Sequence, residues 1–420
     1  MAVEVADAGS DGSSEGQPPI PSQVSSGRFS IRGKVGSGSY SVVHLGYDML
    51  MECQVAVKFE WTKAEKGRRL LAEAQLCQTL APGGPTLKQH ASRVCVPAVH
   101  AWGTEQDYNF MAMELCGPSL EDLFVSCGRK FSLKTVLMLG LQMVDCMEYV
   151  HSLGILHRDI KPNNFLIGVS GSSRVFIVDF GLAKRYRDEK GEHIPSCKKK
   201  GLTGTVRYTS QNVHQGLEPS RRDDLGAIGY VLMYFNRGRL PWQGINASSK
   251  KTKQRRIGRK KARTSHDELC KGFPREFVKY LEYCDALGYT EEPDYEYLRS
   301  LLRDVSVREN IQLDKRFDWM LSEADRKAQV QAGMKRARVV DATLAGAPEK
   351  CRSRSPKGKN GAVVELKEGA EMLEPLETEY YDEYEYGEEE EEESEEDENE
   401  ESEEEDKEES AGEEPKMQKA

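Results

Sequence analysis

Residues 157–164 read His-Arg-Asp-Ile-Lys-Pro-Asn-Asn. An acid, a cation and an amide fall within six positions, just after a segment (Leu133 to His151) whose apolar residues recur at helical spacing. Asp159 can orient an attacking hydroxyl or take its proton, Lys161 can neutralise a transferring phosphate, and Asn164 offers an oxygen to a hard cation. Taken alone, the same octet is equally a charged loop that follows a helix.

Its flanks decide. Downstream, Val175-Phe176-Ile177-Val178 has the composition of a buried strand and ends in Asp179-Phe180-Gly181, where a carboxylate suits Mg²⁺. Upstream, three strand-like runs open the folded part: RFSIRGKV (28–35), SVVHLGYD (41–48) and ECQVAVKFEW (52–61). Between the first two lies Gly36-Ser37-Gly38-Ser39-Tyr40-Ser41, whose glycines let a backbone approach phosphate oxygens. No helix follows it, so it is no dinucleotide fingerprint, and no Gly-Lys-Ser/Thr closes it as in a P-loop. Lys58 ends Val55-Ala56-Val57-Lys58, 20 residues past the loop, and Glu73 on the following helical stretch (67–80) can pair with it. Separately, each is an ordinary hairpin or surface charge.

In order, glycine loop, strand Lys, helix Glu, H-R-D-x-K-x-x-N and D-F-G resemble the protein-kinase signature. Longer strings narrow the resemblance: MELCGPSLEDLF (113–124), RKFSLKTVL (129–137), HRDIKPNNFLIG (157–168), DFGLAKRYRD (179–188), LTGTVRY (202–208), SRRDDLGAIGYVLMYFNRGRLPWQG (220–244) and EEPDYEYLR (291–299). These are similar to the casein kinase I family over about 70% of the chain, and Ser210-Gln211-Asn212 resembles that family's Ser-Ile-Asn where other kinases carry Ala-Pro-Glu.

The resemblance implies an α+β, bilobal kinase fold, with a small β-rich N-lobe carrying one main helix and a larger helical C-lobe. It implies an ATP- and Mg²⁺-dependent Ser/Thr protein kinase. By the same carry-over, Lys58, held by Glu73, contacts the α/β-phosphates, Asp179 and Asn164 hold Mg²⁺, and Asp159 is the base with Lys161 beside the γ-phosphate. Gly36 to Ser41 (Gly36, Ser37, Gly38, Ser39, Tyr40, Ser41) cover the phosphates. Val35, Val43, Ala56, Leu166 and Val178 enclose adenine, Met113 is the gatekeeper, and Glu114 and Cys116 offer backbone hydrogen bonds. Asp224, five residues before Gly229, matches a buried Asp that braces the catalytic loop.

The family favours Ser/Thr with a phosphorylated or acidic residue about three positions upstream, so a cationic pocket is expected. Arg207 and Lys253 match its anion site, Arg158 contributes, and Lys198, Lys199 and Lys200 add positive potential. KKTKQRRIGRKKAR (250–263) has 9 Lys/Arg in 14 residues. A substrate-docking face is the first expectation for it and a nuclear import signal the second. The lack of an aromatic residue counts against nucleic acid. Ser41 stands where the loop's third glycine is usual, Gln211 replaces an apolar residue, Val206 an Ala, and Gly226-Ala227 a more polar pair. The first should modestly loosen the phosphate contacts, and the others bear on fine substrate preference rather than on a phosphate or metal position.

Composition sets the boundaries. The 420 residues carry a net charge of -11, but 377–420 holds 25 acidic residues against 3 Lys, a net -22 that leaves +11 on 1–376. The expected organisation is a disordered leader (1–27), a kinase domain (28–321: N-lobe 28–113, hinge 114–117, C-lobe 118–321), a basic linker (322–376) and an acidic disordered tail (377–420). A tethered polyanion should reach a basic active-site face in cis, inhibiting it, and Ser394, behind six glutamates, suits autophosphorylation. Ser402 and Ser410 are weaker sites, and a purely solubilising or partner-binding tail is the alternative. The 10 dispersed cysteines, the lack of a signal pattern and the short apolar runs point to an intracellular protein in cytoplasm, nucleus or both, without a membrane anchor. Protein substrates are the expected partners. A pseudokinase scaffold and a binder of basic proteins are the non-enzyme alternatives.

Overall fold

The computed structural model describes residues 18–38, 41–63, 69–81, 94–169, 171–196 and 201–321. By internal contacts the chain divides into Met1–Tyr384 and Glu385–Ala420, and all described residues belong to the first unit. The linker, the tail and Lys198 to Lys200 lie outside the described residues.

Period-2 alternation builds the N-terminal sheet. Strands β1 (Gln23–Val24), β2 (Phe29–Ser37), β3 (Val42–Asp48), β4 (Cys53–Trp61), β5 (Val99–Glu105) and β6 (Tyr108–Glu114) pair antiparallel in the order β1-β2-β3-β4-β6-β5. On β4, Val55, Val57 and Phe59 pack with Phe29, Tyr108 and Phe110 on one face. Alternation turns Ala56 and Lys58 to the other face. Helix α1 (Arg69–Leu80) covers that second face, where Leu70 and Ala74 meet Met111, Lys58's partner across the β4–β6 ladder. The buried stripe of α1, at three- and four-residue spacing, is Leu70, Glu73, Ala74, Cys77 and Leu80. One carboxylate is therefore buried with the apolar residues, opposite the one lysine on that strand face.

Residues before the expected boundary at Arg28 already pack into the domain. Val24 is fully buried with Phe29, Ile20 packs against the same cluster, and the Tyr108 hydroxyl donates to Pro18 O at 2.6 Å. Residues 18–27 are thus part of the sheet's packing, which corrects the leader expected over 1–27. Two apolar residues close the sheet edge, a signal that the Ser/Gly-rich surroundings obscured.

The C-terminal lobe is helical: α2 (Leu120–Ser126), α3 (Leu133–Ser152), α4 (Gln211–His214), α5 (Arg221–Arg237), α6 (Lys250–Arg263), α7 (His266–Leu269), α8 (Glu276–Ala286) and α9 (Tyr295–Arg308). The expected segments 67–80 and Leu133 to His151 appear as α1 and α3. Helices α3, α5 and α9 form the centre. A Cβ on Gly140 would meet Leu302 Cδ1 at 2.9 Å and Leu232 Cδ1 at 3.1 Å, so the glycine allows the close crossing. Short strands β7 (Ile155–Leu156), β8 (Phe165–Ile167), β9 (Val175–Ile177) and β10 (Lys184–Arg185) pair as β7–β10 and β8–β9. They anchor both ends of the 157–164 loop beneath the sheet domain. Among the described residues, no helix is long and apolar enough to cross a membrane.

Candidate active site

Lys58, Glu73 and Asp179 meet at one point. Lys58 Nζ donates to Glu73 Oε2 at 2.8 Å and Oε1 at 3.0 Å, and to Asp179 Oδ1 at 2.9 Å. The Phe180 N–H donates to Glu73 Oε1 at 3.2 Å, so α1 and the Asp-Phe-Gly turn share one carboxylate. Burial works against the Lys58 ammonium, but Asp179 and Glu73 outweigh it and raise its pKa. Lys58 in turn holds Asp179 below the usual carboxylate range, although its side chain is 43% exposed and solvent tempers the effect. Burial pushes Glu73 up, against the pull of Lys58.

The 157–164 loop centres on Asp159. Its Oδ1 accepts the Thr205 N–H at 2.9 Å and the Thr205 hydroxyl at 2.7 Å. Its Oδ2 lies 2.8 Å from Lys161 Nζ and accepts Asn164 Nδ2 at 3.2 Å. Asn164 Nδ2 also reaches Asp159 O at 2.9 Å, which aims the amide oxygen away from the loop. His157 completes the framework. Its Nδ1 accepts the Asp159 N–H at 3.3 Å, so Nε2 is the donor to Val178 O at 3.0 Å.

The backbone here is strained. Arg158 (φ 67°) and Asp179 (φ 65°) both lie in the left-handed region, which costs a non-glycine residue about 1–3 kcal/mol. Asp224, on α5, offsets the first. It accepts the His157 and Arg158 N–H groups, each at 2.8 Å, and His151 Nε2 at 3.0 Å. The Tyr295 hydroxyl donates to His151 Nδ1 at 2.8 Å, with His151 kept neutral by burial. Burial opposes the Asp224 carboxylate, yet these hydrogen bonds hold its pKa low.

Of the expected nucleotide positions, Val43 stands opposite Lys58 and Ala56 opposite Met113 in the sheet, while Leu166 and Val178 are half-buried. Val35 is 57% exposed. The Gly38 N–H donates to Ser41 O at 2.7 Å and closes the glycine loop, and Gly36 pairs with Val43. Ser39 and Tyr40 lie outside the described residues, and Ser37 ends β2. Glu114 spends its N–H on Ala98 O at 2.8 Å, so its carbonyl is what it can offer a base. The Cys116 thiol is neutral, pushed up to about 12 by burial and then by Glu114.

A divalent cation fits this donor set. Among the described residues no three His, Cys, Asp or Glu side chains cluster. Asp179 and the Asn164 amide oxygen would offer such an ion two hard ligands. Mg²⁺-type ions are held in this way, by one or two protein oxygens plus substrate phosphates and waters.

The expected anion-site cations sit on three separate elements. The Arg158 Nε donates to Leu182 O at 2.6 Å. The Arg207 guanidinium lies 5.8 Å from the Tyr208 ring centroid. Lys253 is half-buried on α6. That helix is not a free basic face throughout, which corrects the expected docking surface in part. Ile257 and Lys261, four apart on one side, are buried. Lys261 donates to Val206 O at 2.7 Å and Thr209 O at 2.6 Å. Thr205, His151, Tyr295 and Lys261 are contacts that motif spacing alone did not pick out. The large apolar Ile257 within a basic run was the visible signal for Lys261.

Compared with known families, residues 29–290 match the protein kinase domain.

Proposed function

Because the chain belongs to the protein kinase family and is therefore a phosphotransferase using ATP and a divalent metal on protein substrates, we propose that it is a Ser/Thr kinase of casein kinase I type, selective for acidic or phosphorylated sequences. The observation that supports catalysis best is the pair of bonded clusters, Lys58–Glu73–Asp179 and Asp159–Lys161–Asn164.

Lys58, held between two carboxylates, orients the α/β-phosphates. Asp179 and Asn164 would hold the divalent ion, which would supply neutralisation of phosphate charge when bound. Asp159, its Oδ1 fixed by Thr205, positions the substrate hydroxyl. The hydroxyl oxygen bonds to the γ-phosphorus, the bond from that phosphorus to the ADP oxygen breaks, and the proton passes to Asp159. Lys161, 2.8 Å from Asp159, faces the moving phosphoryl charge. Arg207, Lys253 and Arg158 bind the upstream acidic or phosphorylated residue. Both the resemblance within 202–208 and the basic charge of 1–376 support this. The exposed part of α6 serves substrate docking, with nuclear import as its second use; the protein works in cytoplasm, nucleus or both. Residues 377–420, at -22, act on this basic site in cis and inhibit it.

Labelled ATP and Mg²⁺ with two matched peptides test this, one carrying phosphoserine three residues before the target Ser and one carrying alanine there. We expect strong preference for the first, and none from an Asp179→Asn control. Equal transfer to both peptides would remove the anion site and leave the kinase. Deleting 377–420 should raise turnover, and unchanged turnover would remove inhibition by the tail.

A further inference from the structure

We propose that Lys261 and Trp242 are positioning residues for substrate selectivity: together they clamp the main chain of the Thr205–Thr209 turn and so set where Arg207 stands. The clamp presupposes the Arg207 anion site proposed above.

Lys261 is 3% exposed and Trp242 2%. The Lys261 ammonium takes the carbonyls of Val206 and Thr209, at 2.7 and 2.6 Å. It lies 5.2 Å from the Tyr230 ring centroid and 5.1 Å from that of Trp242, within cation–π range. Trp242 Nε1 donates to the carbonyl of Arg207 itself, at 2.8 Å. Three of the four carbonyls in 206–209 are thus bound by two buried side chains. A desolvated ammonium is costly unless its donors are satisfied, so this one is tied to the position of those carbonyls.

The turn has little other freedom. Tyr208 N–H, Thr209 N–H and the Thr209 hydroxyl all go to Thr205 O, at 2.9, 3.1 and 2.9 Å. Thr205 is bonded to Asp159, and the Ser210 hydroxyl donates to Asp223 Oδ1 at 2.5 Å. Val206 and Tyr208 are buried in the core on either side, and the carbonyl bonds of the clamp fix the backbone between them, where Arg207 is attached. Lys253 lies on α6 eight residues before Lys261, about 80° away around the helix. One helix therefore carries both the second anion-site cation and the grip on the first. Gln211 Nε2, donating to Gly258 O at 3.3 Å, ties α4 to the same helix.

A cavity of about 340 Å³ adjoins the clamp, lined in part by Gln211, Tyr230, Trp242, Lys261, His266 and Asp285. Water can enter it when the ammonium is removed. Lys261→Met should then loosen the turn without unfolding the lobe.

The test uses full-length wild type, Arg207→Ala, Lys261→Met, Trp242→Phe and the Arg207→Ala/Lys261→Met double variant, with kcat and KM measured on the primed and unprimed peptides. Lys261→Met should lower the primed-to-unprimed ratio of kcat/KM about fivefold or more, chiefly through the KM of the primed peptide. Trp242→Phe should move it in the same direction, and the double variant should match Arg207→Ala. Equal losses on both peptides in Lys261→Met would mean a merely structural role and overturn the clamp while leaving the anion site intact. A wild-type ratio in Arg207→Ala would remove the anion site, and the clamp with it. Should Lys261→Met fail to fold, Trp242→Phe, which keeps a smaller aromatic ring and loses the N–H, decides by the same ratio.

Discussion

Thr205 delivers its N–H and its hydroxyl to the same oxygen of Asp159, at 2.9 and 2.7 Å. Both donors come from the start of the Thr205–Thr209 turn and both point at the residue proposed as base. The carboxylate is thereby turned so that Oδ2 faces Lys161. Thr205→Val removes the hydroxyl and preserves the shape. It should lower kcat about tenfold with little change in KM for ATP, since one charged-acceptor hydrogen bond is lost. Thr205→Ser should retain most activity, and a Thr205→Val enzyme with normal kcat would show that this bond does not orient the base.

Asp159→Asn keeps the size of the side chain and removes its basicity. Its kcat should fall by about 10²- to 10⁴-fold, the span expected of a positioned general base. Nucleotide affinity, read by titration with a fluorescent ATP analogue, should hardly change. Lys58→Met should show the opposite balance, losing affinity as well as rate, because Lys58 holds Asp179 and Glu73 in place.

Gly204 has φ +95°, and a Cβ there would stand 2.5 Å from Arg158 O. That oxygen is backbone in an already strained loop, so it cannot swing aside. Gly204→Ala should therefore cost at least about tenfold in kcat, with Tm lowered by only a few degrees. A thermal melt beside the kinetic assay checks the pair, and full activity would mean that the backbone around Gly204 adapts freely.

Asp48 provides a pH signature far from the chemistry. Hydrogen bonding from Arg28 (2.7 Å at its closest), offset in part by burial, brings its pKa from 3.8 to about 2. A depressed carboxylate contributes stability above its unfolded pKa and loses it as pH falls through the folded one. Asp48→Asn should therefore cost on the order of 2 kcal/mol at neutral pH, and the gap to wild type should close between about pH 4 and 2. Urea unfolding at pH 7, 4 and 3 measures it, and a gap independent of pH would assign the loss to packing.

Much of this was written locally. Alternation on β4 puts Lys58 opposite the face of Val55 and Val57, and helical spacing on α1 puts Glu73 beneath it, so their 2.8 Å pair follows from two periodicities and one fold. The early start of the domain was less visible, because Ile20 and Val24 are isolated apolar residues in a polar stretch. The basic run 250–263 misled for the opposite reason, since nine cations conceal one that is buried.

The chain's own order of residues determined the candidate catalytic residues: the glycine loop, Lys58, Glu73, the 157–164 octet and Asp179, with strands and helices to carry them. Such features depend on spacings of a few residues, which backbone periodicity converts directly into faces. Tertiary structure alone decided which carbonyls Lys261 holds, 52 and 55 residues away, and that Thr205 reaches Asp159 across 46. Those bonds depend on how separate segments pack and on which side chains lose water there. Nothing in local spacing distinguishes a buried ammonium from a solvated one; only the neighbours that enclose it do.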